Sequence, residues 1–158
     1  MPTIEELTTP MRHERDVTKV HGRLTDIANA RFDVIAPQEH LSMHDGGRKI
    51  NLHMPETLLT DSGVIEGPLS SSHTRTAYRQ LMGRLGIPLK YADKLGTSDV
   101  DEIRQLLDLS VNTLATHDER KAMFRYLQAD DGLVLRAVVS NQFGVIDGDQ
   151  AFAAILAG

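Results

Sequence analysis

Arginine is the side chain whose placement in this sequence most suggests chemistry, and the pair Arg125 and Arg136 is the sharpest case. The two flank the turn signal Ala129-Asp130-Asp131-Gly132. If the hairpin closes through Asp131-Gly132, or through all four residues, both registers put the arginines on one face, opposite or diagonal to each other. Like charges at that spacing repel, so the face needs carboxylates or a bound anion such as phosphate. A second basic group lies upstream: Arg75 and Arg79 are one helical turn apart, with Arg84 and Lys90 further on. Joined by Tyr91, Arg125 and Arg136, these would line a positive groove for single-stranded nucleic acid; the plain alternative is a solvated helix face.

Of the seven histidines, His40, His44 and His53 fall on or beside one hairpin, with Asp45 in its turn. In an extended strand His40 and His44 share a face, and His53 on the return strand approaches them, which makes a metal site conceivable. The spacing lacks His-Glu-x-x-His and His-x-His, and surface or satisfied histidines explain it more simply.

Other chemistries lack their residues. There is no cysteine, hence no thiolate nucleophile and no disulfide. Neither Gly-x-Ser-x-Gly nor a phosphate loop ending in Lys-Ser/Thr occurs, and no cofactor motif is present. Ser70-Ser71-Ser72-His73 reads as loop and helix cap. Asp130-Asp131 and Asp147-Gly148-Asp149 read as turn chemistry before cation binding. The net charge of -5 gives nucleic acid no global attraction, and aromatics at 4% without Trp are sparse for base stacking, so any such site must be a local patch.

The elements that must position these residues follow from periodicity. Glu14 to Arg31 carries Val17, Val20, Leu24, Ile27 and Ala28 at helical spacing, and Phe32 to Ile35 reads as a strand ended by Pro37. Leu41, Met43, Ile50 and Leu52 alternate around His44-Asp45-Gly46-Gly47, a hairpin. Thr60 to Ser72, rich in Gly, Ser and Pro, reads as a flexible loop with one short strand at Gly63 to Glu66. Ser72 or Thr74 caps a helix that Gly86 ends, and Pro88 restarts the chain. Ser98 or Asp99 caps a further helix to Leu114 with a break near Ser110. Met123 to Gln128 and Leu133 to Ser140 form the second hairpin. Asp147 and Gln150 resemble a capping box before the apolar run Ala151 to Ala157. The sequence therefore predicts an α+β fold: an antiparallel sheet from two β-hairpins, about 32–54 and 123–140, packed with amphipathic helices in one domain of 158 residues. With no apolar run near the roughly 20 residues of a membrane span, and no leader-like stretch in Met1 to Leu7, a soluble cytoplasmic protein is expected.

Several stretches look familiar in order: Arg31-Phe32-Asp33-Val34-Ile35, Ala77-Tyr78-Arg79-Gln80-Leu81, and Leu85-Gly86-Ile87-Pro88-Leu89-Lys90-Tyr91. Further on come Val111-Asn112-Thr113-Leu114, and Leu135 through Phe143 before Ile146-Asp147. From about Leu24 onward the chain resembles the phage and plasmid proteins grouped as domain of unknown function 932. The resemblance implies a phage or plasmid origin and a parent chain about twice this length, of which this would be the amino-terminal part; it assigns no activity to any residue.

Three functions are compatible with these features, in this order. The first is a non-enzymatic nucleic-acid-associated phage or plasmid protein, such as a single-strand binding or annealing accessory. The second is an interaction module that binds a host or phage protein or self-associates as a homo-oligomer. A metal-dependent enzyme built on the hairpin histidines comes last.

Overall fold

A computed structural model of the chain describes residues 2–11, 16–53, 58–60, 63–65 and 68–141. Two short elements open it: helix α1 (Ile4–Thr8) and helix α2 (Val17–Ala30), whose N-cap Asp16 accepts the Thr18 and Lys19 amides. The start expected for α2 at Glu14 lies outside the described residues. Strand β1 (Arg31–Pro37) follows directly, then a 3-10 turn (Gln38–His40) and the hairpin of β2 (Leu41–His44) and β3 (Lys49–Leu52). A small ladder pairs β4 (Leu58–Thr60) with β5 (Gly63–Ile65). Strand β6 (Leu69–His73) leads into helices α3 (Arg75–Leu85), α4 (Leu89–Gly96) and α5 (Asp101–Thr116), and the long hairpin of β7 (Lys121–Ala129) and β8 (Gly132–Ser140) completes the fold.

The α+β class and both hairpins agree with the sequence reading, but the sheet is mixed and not purely antiparallel. Six strands run in the order β1-β7-β8-β6-β3-β2, and β6 lies parallel to β8 through Ser72↔Val134 and His73↔Leu135. The difference comes from β6. Thr60 to Ser72 reads as a loop because serine is a turn former, yet its last residues fill the gap between the hairpins. Leu69 and Ser71 are buried, and Ser70 and Ser71 pair with Asn51 and Ile50 of β3. The three helices that follow lead into β7, and its hairpin partner β8 then runs alongside β6 in the same direction, so that pair is parallel. Residues 61–62 and 66–67 of the expected loop lie outside the described residues, as do the capping box at Asp147 and the run Ala151 to Ala157.

Helix boundaries follow capping chemistry. Thr74 accepts the Ala77 amide at 3.1 Å, and Gly86, at φ 75°, ends α3 in the left-handed conformation. No break occurs at Ser110: its hydroxyl donates to the Leu106 carbonyl at 2.7 Å, and α5 continues to Thr116.

The main core lies between the sheet and α3–α5, around Phe124, Tyr126, Leu135, Leu81 and Leu107. A smaller one, with Leu127, Ala129 and Val134, lies on the opposite face under Leu7 and Ala30. Phe32 stacks on Tyr126 with centroids 5.2 Å apart, yet the buried Tyr126 hydroxyl has no partner, and burial pushes its ionisation well above the usual phenol range. An orphaned buried hydroxyl costs free energy. Tyr126→Phe should therefore raise stability by roughly 0.5–1.5 kcal/mol, read as a higher urea midpoint at unchanged slope; a clear loss would mean that the hydroxyl is bonded.

Candidate functional site

A cleft of about 420 Å³ opens where the β2–β3 turn, the end of β6 and the three helices meet. Its depth depends on glycine. Asp45, Gly46 and Gly47 hold φ of 57°, 63° and 88°, a run of left-handed backbone that turns two amides the same way. Gly46 N and Gly47 N donate to the Asp108 carboxylate of α5 at 2.9 and 2.8 Å. Such a concavity of amides suits an anion, and here the chain's own carboxylate fills it. One turn on, Asn112 accepts the Met43 amide at 2.6 Å and donates to the Met43 carbonyl at 3.0 Å, which satisfies the edge of β2. Both side chains fix the turn against α5.

His73, the last residue of β6, lines the opposite wall. Its Nε2 donates to the Gly47 carbonyl at 2.6 Å, its ring stacks on Tyr78 at 5.4 Å, and its Nδ1 is buried without a partner. Arg75 lies over the other aromatic partner, 5.3 Å from the Tyr78 ring, and forms a forked pair with Asp93 of α4, both N–O distances 2.7 Å. That mutual bonding holds Asp93 below the usual carboxylate range and Arg75 above its own. Desolvation first, and Asp93 second, push the Tyr78 hydroxyl upward. Arg48, exposed on the hairpin, and Thr97 complete the rim.

The basic residues read from the sequence do not assemble into one groove. Arg75, Arg79, Lys90 and Tyr91 belong to α3 and α4; Arg79 and Lys90 are exposed, as is Tyr91 at 50%. Arg79 and Lys90 each lie about one turn from the Arg75–Asp93 pair along their own helices. Arg84 is spent internally. Its Nε donates to Gln38 Oε1 and its Nη2 to the Lys121 carbonyl at 3.4 Å, while Gln38 also donates to Asp118 at 2.6 Å. Desolvation and the nearby Arg120 lower the Arg84 guanidinium from its usual range.

Arg125 and Arg136 are separated from one another by register. The hairpin closes through Asp130-Asp131, with Ala129 opposite Gly132, and a bulge shifts the ladder between Arg125↔Ala137 and Tyr126↔Leu135. Arg136 is the extra residue of that bulge, and its carbonyl accepts the Thr74 hydroxyl at 3.0 Å. Arg125 instead faces Asp33 of β1 directly, Nε to Oδ1 3.3 Å, so a protein carboxylate and not a bound anion answers its charge. It also alternates with Leu127 and Ala129, which puts it on the α1–α2 face, across the sheet from α3 and α4. Asp131 of the turn accepts the Ile4 amide at 2.8 Å.

Of the hairpin histidines, His40 and His53 come together across the strands and His44 does not. His40 sits in the 3-10 turn before β2, and its carbonyl accepts the His53 amide at 2.9 Å; His44 lies at the far end of the strand, opposite Lys49, and bonds Ser42 at 2.8 Å. Among the described residues no group of three or more His, Cys, Asp or Glu is placed to hold a metal ion.

The sequence reading placed the cleft residue His73 in a loop and helix cap, and it missed Arg48 and Asp93 of the cleft and Asp108 behind the turn. One signal for His73 was present: Leu69, Ser71 and His73 alternate as one side of a strand. Among the described residues no helix is long and apolar enough to cross a membrane. Compared with protein-family models, curated proteins and solved structures, the chain shows no match.

Proposed function

We propose that this chain is a non-enzymatic, single-stranded nucleic-acid-binding protein, an accessory of phage or plasmid metabolism, with the strand following the α3–α4 surface past the cleft mouth. One observation carries the reading. Across 75–96 the two helices expose Arg75, Arg79, Lys90 and Lys94 against a single acidic residue, Asp93, in a chain whose net charge is -5. Phosphate neutralisation needs a local concentration of cations of this kind. The exposed Tyr91 supplies a ring on which a base can stack, a contact worth roughly 1–3 kcal/mol in single-strand binders. The genomic setting rests on the sequence resemblance to domain of unknown function 932.

Fluorescence anisotropy with a labelled oligothymidine tests the proposal. Three exposed cations on phosphates should give a log–log salt dependence of about -2, from roughly 0.7 per single-strand phosphate. Absence of salt-sensitive binding at low ionic strength would remove it. A gain of function makes the test sharper. Asp93 ties up Arg75 at the cleft rim, so Asp93→Asn should free the guanidinium, tighten binding severalfold and steepen the salt slope. Unchanged affinity would place the strand elsewhere.

A second reading, action through a protein partner, is favoured by a different surface. The outward side of α5 exposes Leu106, Leu109 and Leu114 together.

A further inference from the structure

From residue 105 to residue 116, α5 contains one charged side chain, Asp108, and that carboxylate is turned onto the Gly46 and Gly47 amides. The outward side of the helix is therefore uncharged over about three turns, in a chain in which charged residues make up 25%. It is also apolar: Leu106 is 46% exposed, Leu109 63% and Leu114 44%, with Val100 at 47% just before the helix. Two of its small polar residues have used their donors locally, Ser110 Oγ on the Leu106 carbonyl and Thr116 Oγ1 on the Asn112 carbonyl, each at 2.7 Å. Covering this face would strand neither hydroxyl.

The geometry points to a second copy of this chain as the occupant: two α5 helices packed antiparallel across a two-fold axis beside Ser110. This deepens the reading in which the chain acts through a protein partner, and it is independent of strand binding at α3–α4. The face is complementary to itself in that arrangement. An axis between positions 109 and 110 sets Leu109 over Ser110 of the other copy and Leu106 over Thr113, so these two leucines each meet a small side chain, while Leu114 falls over Gln105. The same axis brings Glu102, exposed at the acidic amino end, to His117 at the other. The His117 Nδ1 already donates to the Thr113 carbonyl at 2.9 Å, so only as an imidazolium does the ring have an Nε2–H left to donate to that carboxylate. Antiparallel helices also oppose their dipoles favourably.

Size sets the strength. Twelve helical residues span about 18 Å, and such a strip falls short of the roughly 800 Å² per partner of a standard interface. The dimer is expected to be reversible, forming in the micromolar range.

Because the chain has no cysteine, a single introduced thiol reports on proximity without background. Sedimentation equilibrium of the full chain from low to high micromolar concentration should give a concentration-dependent dimer. The variant Leu109→Asp should be monomeric throughout with an unchanged thermal midpoint. Under mild oxidation Ser110→Cys should form a disulfide-linked dimer much faster than Asp26→Cys, which lies exposed on α2. A monomer at every concentration, a dimer indifferent to Leu109→Asp, or equal cross-linking at the two positions would each overturn the inference. If Leu109→Asp does not fold, the cross-linking comparison decides. Loss of dimer with strand binding intact, or the reverse, separates this interface from the nucleic-acid reading.

Discussion

Gly47→Ala should destabilise the protein by about 2–4 kcal/mol, although it adds one carbon. Two costs combine. At φ 88° the backbone is left-handed, where a side chain is strained by about 1 kcal/mol. A Cβ at this position would also lie 2.7 Å from Leu107 Cδ2, and Leu107 is buried in the main core and already close to Gly96, so it has little room to retreat. The damage should spread, because Gly47 also donates to Asp108 and accepts from His73. Urea unfolding should show the midpoint falling at constant slope. Gly22→Ala is the matched control: that position lies within α2 with nothing within 4 Å of an added Cβ, so the change should be stabilising by about 0.5–1 kcal/mol. A loss at Gly47 under about 1 kcal/mol would mean that the turn is not held against α5 as described.

The contrast between these glycines shows which parts of the fold were legible in the sequence. Gly46-Gly47 announces a turn, and the alternation of Leu41, Met43, Ile50 and Leu52 around it specifies the hairpin, because both signals are local. The partner that shapes the turn is Asp108, more than sixty residues away, and no local pattern marks which carboxylate will reach back to a backbone amide. The same distinction explains β6. Ser70, Ser71 and Ser72 have turn chemistry in isolation, and only the presence of both hairpins makes them a strand between β3 and β8.

The candidate site divides along the same line. Arg75 and Arg79 were visible as neighbours because helical spacing is a local rule, and they remain neighbours in the structure. The pairing of Arg125 with Arg136 depended on hairpin register, which one extra residue in β8 was enough to change. Arg84 looked like the continuation of a basic face until Gln38 and the Lys121 carbonyl claimed its donors. Counting cations marks a basic segment, but which of them remain at the surface is decided by Gln38 and the start of β7, remote in sequence.

That sorting gives the strongest test of the nucleic-acid reading. The double variant Arg79→Glu, Lys90→Glu should weaken single-strand binding at low salt by about 100-fold or more, since two phosphate contacts are replaced by two repulsions. Both side chains are exposed, so stability should change by less than about 0.5 kcal/mol, and a loss of binding cannot be a loss of fold. Arg125→Ala should do the opposite. It leaves the partly buried Asp33 without its partner, costs stability by roughly 1–3 kcal/mol, and leaves the affinity of the folded fraction alone, because Arg125 lies on the far face of the sheet. Anisotropy and urea unfolding on the same three proteins distinguish the cases. If Arg125→Ala weakens binding while the Arg79 and Lys90 reversal does not, the strand does not follow α3 and α4, and the proposal fails at its central observation.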